Sequence, residues 1–218
     1  MLYFQQKNYQ NAAETYTKLS SLNPSGKLIA LSHLNAGYAY YSLGEWEKAL
    51  DQFSAADQSE QYRESARYWI AQTYKSSGDL AKSEQALQTL LQQTSDADLK
   101  PKILYQLADS QFQLRKYDGA LNLFLDYQKQ YPQGESVIDA WLSSLECCLL
   151  TNRLGQGWEL SEQKPDVKMT SVENDEQTLL QCRLLAAADS ETDPLPESLG
   201  DRETRLRRAL PLLIKILD

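Results

Sequence analysis

One histidine, His33, three cysteines, Cys147, Cys148 and Cys182, and a few carboxylate pairs are the side chains here whose types could support covalent or acid–base chemistry. A serine or cysteine nucleophile needs a base beside it and a group that orients that base. A single histidine on an apolar helical stripe does not assemble such a set, and a packed core or boundary role suits it better. Cys147 and Cys148 are adjacent, so on a helix they point about 100° apart. Neither they nor Cys182 shows CxxC or Cys/His ligand spacing, and small buried hydrophobes is the expected role. Gly155-Gln156-Gly157 lacks the later glycine and the preceding strand of a phosphate loop. Asp96/Asp98 and Glu173/Asp175/Glu176 lie beside expected helix starts, where capping accounts for carboxylates. No catalytic residue, no metal and no cofactor is expected, and the chain reads as a non-enzyme.

Composition narrows the partners. The chain has 218 residues and a net charge of −8, with a pI near 4.8. A nucleic-acid groove needs lysine and arginine to neutralise phosphates, so nucleic acid is not expected, and anionic lipid is disfavoured for the same reason. No run approaches the roughly 18 apolar residues of a membrane span, so no membrane insertion is expected. No signal peptide is recognisable. Tyr3 and Phe4 stand where the end of a first helix belongs, so the chain is expected to be a fragment of a longer protein or to have lost a leading segment. The other reading is a natural start on a short capping helix.

The elements announce themselves through repetition. A short cassette recurs five times: Lys7-Asn8-Tyr9 with Ala12, Gly44-Glu45-Trp46 with Ala49, Gly78-Asp79-Leu80 with Ser83, Arg115-Lys116-Tyr117 with Ala120, and Asn152-Arg153-Leu154 with Gly157. The leading residues are 37 (44−7), 34 (78−44), 37 (115−78) and 37 (152−115) apart. A period of that length means a helical solenoid in which each repeat packs on its neighbours. In the best copy His33, Ala36, Gly37 and Tyr40 share one helical face. Gly44 ends that helix, and Glu45 opens the next at its positive end. Trp46, Ala49, Leu50, Phe53 and Ala56 form the second apolar stripe. Gly37 and Ala49 are small where two helices cross; Tyr40 and Phe53 fill the gap beside them.

The order Gly37-x-x-Tyr40, Gly44-Glu45-Trp46, Ala49, Phe53, Ala56 resembles the tetratricopeptide repeat. Ala71, Tyr74, Gly78-Asp79-Leu80, Ser83 and Leu87 form a similar copy. Leu107, Ala108, Tyr117, Ala120, Phe124 and Pro132 form another, and Tyr3, Tyr9, Ala12, Tyr16 and Pro24 an opening half-copy. The copy from Trp141 to about Gln163 is degenerate. The 37-residue spacings exceed the family's roughly 34, which places the extra residues in the turns Asn23–Gly26 and Thr94–Asp98. Pro24 and Pro132 suit helix exits, and Pro101 a first helical turn. The resemblance covers residues 1–163 and implies an all-α fold, a right-handed α-α superhelix of antiparallel helix pairs. Residues 164–218 are expected as C-terminal helices, from about Val172 to Ala188 and Asp201 to Leu217, joined by an exposed acidic linker at 189–200. They form a cap or a divergent repeat. Pro211 is expected to kink or split the last helix.

The resemblance also implies a function. First helices of such repeats line a concave groove at positions that here are Leu31, Leu34, Tyr38, Tyr41 and Ser42; Ser65, Tyr68, Gln72, Lys75 and Ser76; Lys102, Tyr105, Asp109, Phe112 and Gln113; and Asp139, Leu142, Glu146, Leu149 and Leu150. Tyrosine offers broad flat area at low entropic cost. The expected function is a scaffold that binds a protein or peptide segment on Leu34, Tyr38, Tyr41, Tyr68, Gln72, Lys75, Tyr105, Asp109 and Phe112. The lysine and asparagine clamp for an acidic chaperone tail is absent, with Leu34 and Tyr38 in those places. Alternatives are a regulatory or substrate-recognition module of a larger enzyme and, opposed by the acidic balance, helical-repeat RNA binding. An exposed terminal repeat leaves room for a homodimer. Tyr127 to Gly134 is similar to repeats of bacterial envelope proteins, tilting localisation to the periplasm or cell envelope over the cytoplasm. The basic helix Arg202–Leu217 is expected to fold back into the groove, on the strength of Arg205, Arg207 and Arg208.

Overall fold

The computed structural model describes residues 8–22, 26–187 and 193–217. The readings placed on Tyr3, Phe4, Lys7, Pro24 and residues 189–192 lie outside the described residues. Among the described residues all regular structure is helical: α1 (Tyr9–Ser21), α2 (Gly26–Ser42), α3 (Trp46–Asp57), α4 (Arg63–Ser76), α5 (Leu80–Gln93), α6 (Leu99–Gln113), α7 (Tyr117–Gln130), α8 (Val137–Leu150), α9 (Leu154–Glu162), α10 (Ser171–Ala186), a 3-10 turn (Glu197–Leu199) and α11 (Arg202–Leu217). The chain forms two compact units, Met1–Ile103 and Leu104–Asp218. In the first, α1 packs on α2, α2 on α3, α3 on α4 and α4 on α5. In the second, α7 packs on α8, α8 on both α9 and α10, α9 on α10, and α10 on α11. Neighbour-to-neighbour packing of this kind is how a helical solenoid is built.

The cassette's leading residue has a specific backbone role. Gly44, Gly78, Arg115 and Asn152 have φ of 74°, 89°, 59° and 57°, the left-handed conformation that stops a helix. Each forms the same pair of bonds. The N–H of Gly44 donates to Tyr41 O at 3.0 Å and that of Glu45 to Tyr40 O at 2.9 Å. The same pattern joins Gly78 and Asp79 to Lys75 and Tyr74, Arg115 and Lys116 to Phe112 and Gln111, and Asn152 and Arg153 to Leu149 and Cys148. The residue after the turn then caps the next helix, most fully at Asp79, whose carboxylate accepts from Lys82 N at 3.3 Å.

In the first unit Leu34, Ala49, Phe53, Ala56 and Ala66 are buried together beneath Tyr38, Tyr41 and Trp69. A Cβ on Gly37 would stand 2.5 Å from the Phe53 ring, so the glycine sets how closely α2 meets α3. In the second unit Trp141 is fully buried, and its indole N–H donates to Leu160 O at 2.8 Å. Tyr127, also buried, accepts from Ser136 N at 3.2 Å. A Cβ on Gly134 would stand 2.6 Å from the Tyr127 hydroxyl. The Tyr127–Gly134 run is thus a latch closing the exit from α7.

The C-terminal region departs from expectation. The stretch read as an exposed linker buries Leu195 and Leu199 with Leu154, Cys182, Leu184, Leu185 and Ala209. Asp193 accepts from Gly155 N through its carbonyl at 3.2 Å and from Gln156 N through its carboxylate at 3.0 Å, so it caps α9. Gly155 and Gly157 are close-approach glycines. A Cβ on Gly155 would meet Pro194 O at 2.6 Å, and one on Gly157 would meet Cys148 Cβ at 2.9 Å. Pro211 does not split α11, which runs unbroken from Arg202 to Leu217. Pro211 is exposed, so its ring projects away from α10. Arg205 is not a free basic charge. It is 3% exposed and donates to Leu185 O at 3.2 Å, Gly200 O at 3.0 Å and Ala187 O at 3.5 Å. Those bonds dock α11 onto the C-terminal end of α10.

Candidate functional site

Aromatic side chains on first helices dominate the candidate surface of the first unit, and they gather on Trp69 of α4. Its ring lies 5.0 Å from Tyr38 and 5.1 Å from Tyr41, both from α2. Tyr68 lies 6.0 Å away and Phe53, stacked from below, 6.1 Å. Tyr41 also meets Trp46 at 5.4 Å, and its hydroxyl bonds Ser76 Oγ at 2.7 Å, tying the end of α2 to the end of α4. Most of these contacts are edge-to-face, the geometry aromatic quadrupoles favour. Tyr38, Tyr41, Ser42 and Trp69 line a recess of 170 Å³ that carries no charged group. Burial raises the Tyr38 phenol above its usual range, an effect opposed by its hydrogen bond with Trp69. Burial raises Tyr68 as well, helped by Tyr41.

The expected residues separate into layers. Tyr38, Tyr41 and Tyr68 are half-buried, with ring area left to solvent. Leu34, only 5% exposed, lies beneath them in the core. Gln72 is half-buried, and among the described residues its amide nitrogen has no hydrogen-bond partner. Lys75 occupies the last turn of α4, where a cation suits the helix's negative end. In the second unit Tyr105 lies 6.0 Å from Phe124 and 5.9 Å from Tyr127. Asp109 accepts from Gln113 Nε2 at 2.8 Å, and Phe112 packs edge-on against Tyr117 at 5.5 Å. Burial pushes the Tyr105 phenol up, and the carboxylates of Asp139 and Asp109 push it further.

Sequence reasoning missed Trp69. Its neighbour Tyr68 took the inward place by register, and no periodic signal marks a side chain whose partners lie on another helix. His33 is half-buried with Nδ1 2.9 Å from Gln52 Oε1, a packing bond between α2 and α3. All three cysteines are buried; burial pushes the Cys147 and Cys148 thiols up to about 12, far from a reactive thiolate. A larger recess of 440 Å³ lies between α4 and α5, beside Ile70, Tyr74 and Leu90. Its cations are engaged: Arg67 with Asp57 at 2.8 Å and Gln93 at 2.8 Å, Lys82 with Asp79 at 2.6 Å.

Comparison with known proteins gives a consistent picture. The profile of the tetratricopeptide repeat-like domain family matches residues 2–134. The crystal structure of YrrB, a TPR protein with an unusual peptide-binding site, is similar with a TM-score of 0.61 and 16% identity, over 94% of this chain and 93% of that one. A putative kinesin light chain of Podosopora anserina with nearly identical TPR-like repeats is similar with a TM-score of 0.60 and 14% identity, over 82% of this chain and 92% of that one. No curated protein matches the chain. Among the described residues no helix is long and apolar enough to cross a membrane.

Proposed function

The chain belongs to the tetratricopeptide repeat-like family, and on that premise we propose that it is a non-catalytic scaffold that docks a peptide segment of another protein on the first-helix face of its repeats. The observation that carries this is the aromatic layer around Trp69, with the recess between Tyr38, Tyr41 and Trp69 at its centre. Interfaces concentrate binding energy in tryptophan and tyrosine seated near apolar recesses, and a recess without charge takes an apolar side chain. Tyr38, Tyr41 and Tyr68 would supply contact area, and Gln72 and Lys75 would border it. Leu34 would act from beneath, by holding the rings. Tyr105, Asp109 and Phe112 would contribute in the second unit. The peptide-binding site ascribed to YrrB supports a ligand of this class.

Selection from a displayed random-peptide library tests the reading. The parent chain should enrich a family of peptides, and a Tyr38→Ala/Tyr41→Ala variant, compared below its melting temperature, should bind them at least about tenfold more weakly. Peptides that bind parent and variant equally, or no enrichment at all, would overturn it.

A further inference from the structure

In the second unit α10 and α11 form a two-helix layer with an apolar outer side. They run antiparallel: Arg205 Nε donates to Leu185 O at 3.2 Å, and Cys182 Sγ lies 3.6 Å from Ala209 O. The inner side is filled, with Leu180, Leu184 and Ala209 buried. The outer side is not. On α10, Val172, Leu179 and Ala186 recur every seven residues and so share one stripe; Val172 and Leu179 are exposed. On α11, Leu206, Leu210 and Ile214 recur every four residues, and each is at least 42% exposed. The two stripes meet in a recess of 310 Å³, where Ala186 lies with Leu206, Leu210 and Leu213. The charges at its border, Glu203 and Arg207, satisfy each other at 2.6 Å. A helical array buries such a side by stacking another layer on it.

The charges along the α10 stripe are disposed about Leu179. Asp175 stands four residues before it and Arg183 four after; Val172 stands seven before and Ala186 seven after. Asp175, Glu176 and Arg183 are exposed. A two-fold axis crossing α10 at Leu179 therefore sets Val172 on Ala186 of a second copy, and Asp175 and Glu176 beside Arg183 of that copy. Arg183 also pairs with Glu146 at 3.1 Å, both groups being partly exposed, so it can serve a further acid. The contacts of Leu185 with Arg205 and of Cys182 with Ala209 put the level of Leu179 between Leu210 and Ile214 on α11. The same axis then lays Leu210 against Ile214 of the second copy. Such complementarity of a patch to itself is what an isologous contact requires. A two-fold axis running along the helices would instead bring Arg183 to the level of Arg207 of the second copy, and like charges would oppose it.

We propose that the outer side of the α10–α11 layer docks a second copy of this chain, forming a four-helix contact with Leu179 at the two-fold axis, Leu206, Leu210 and Ile214 as its apolar area, and Asp175 and Glu176 paired with Arg183 across it. The dimer uses none of the residues around Trp69, so it carries two copies of the aromatic recess and makes the scaffold bivalent. It stands whether or not that recess binds a peptide.

Sedimentation equilibrium of the whole chain over rising concentration is the test. The parent should be a dimer that dissociates on dilution. Leu179→Glu sets two carboxylates against each other at the axis and should weaken the dimer about a hundredfold or more; Leu210→Glu should weaken it as well. Both side chains are exposed in the single chain, so an unchanged helical circular dichroism spectrum separates loss of the dimer from loss of the fold. Glu176→Arg and Arg183→Glu should each weaken the dimer about tenfold, and Glu176→Arg/Arg183→Glu should restore it, because the pair is re-formed with its signs exchanged. Tyr38→Ala/Tyr41→Ala should leave it unchanged. A parent that stays monomeric would overturn the proposal, including one that instead sediments with phosphatidylserine vesicles. So would a dimer indifferent to Leu179→Glu and Leu210→Glu, which must form elsewhere, or a charge exchange that fails to restore association.

Discussion

At position 37 the absence of one methyl group sets the distance between two helices. The Phe53 ring fills the space a side chain would take, so Gly37→Ala should overpack the α2–α3 crossing and cost about 1–3 kcal/mol in a denaturant titration. Phe53→Leu placed on that background should recover part of the loss; an additive second penalty would mean the contact has been misread. Arg205 is the opposite case, a large charged side chain where burial looks costly. Its guanidinium satisfies carbonyls at the end of α10 and beyond, so Arg205→Ala should cost roughly 2–4 kcal/mol by leaving them unpaired. Arg205→Lys should recover little, since an ammonium lacks the fork that reaches carbonyls on separate turns. A melting curve unmoved by Arg205→Ala would refute that role. Gly37 and Phe53 were legible because their spacing belongs to a repeated pattern. Arg205 was not: in a linear reading it is one more arginine among Arg202, Arg207 and Arg208, and its partners lie on the preceding helix and loop. Trp69 was hidden likewise, since its neighbours on α2 and α3 are distant in sequence.

At the scale of elements, the period in the sequence is the period of one backbone event, the left-handed residue that ends each first helix. Glycine fills it twice, at positions 44 and 78, and Arg115 and Asn152 fill it with φ near +60°. A side chain there costs about 1–2 kcal/mol, less for asparagine. Gly78 has open space where a Cβ would go, so Gly78→Ala should lose about 1 kcal/mol from backbone conformation alone. Arg115→Gly should gain a few tenths to about 1 kcal/mol, the strain relieved less the extra freedom of the unfolded chain. Thermal melts of the two variants check both signs, and a stabilised Gly78→Ala would contradict the helix-stop assignment. The final elements were harder to place. Leu195 and Leu199 stand among prolines and acids that suggest solvent, yet they are buried by α10 and α11. Pro211 lacks an N–H for the α11 ladder, but its ring faces outward and the helix continues. Local composition sees the proline and the acids; it does not see the neighbouring helices that override them.

At the scale of the whole molecule, the repeat reached the fold class without locating the division between compact units. That division falls between Ile103 and Leu104, inside α6. A solenoid's contacts run from neighbour to neighbour, so no linker or change of composition needs to mark such a boundary. What does accumulate along the chain is burial of weak acids in their neutral form. Tyr38, Tyr68 and Tyr105 have phenols raised chiefly by burial, and the thiols of Cys147 and Cys148 are raised to about 12. Such groups prefer their protons in the fold. The stability they contribute is complete below the pKa values of the unfolded chain, roughly 8.5 for thiols and 10 for phenols. It is lost as pH rises from there through the folded values. The melting temperature should therefore change little on this account between pH 7 and about 8.5 and decline steeply above about 9. Cys147→Ala/Cys148→Ala should melt lower at neutral pH, because two filled positions in the core of α8 are emptied. Its decline above about pH 9 should nonetheless be shallower than the parent's, because two of the protons whose loss favours unfolding are gone. Parallel declines for parent and variant would show that the thiols ionise as readily in the fold as outside it, and burial at α8 could not then be the source of the alkaline sensitivity.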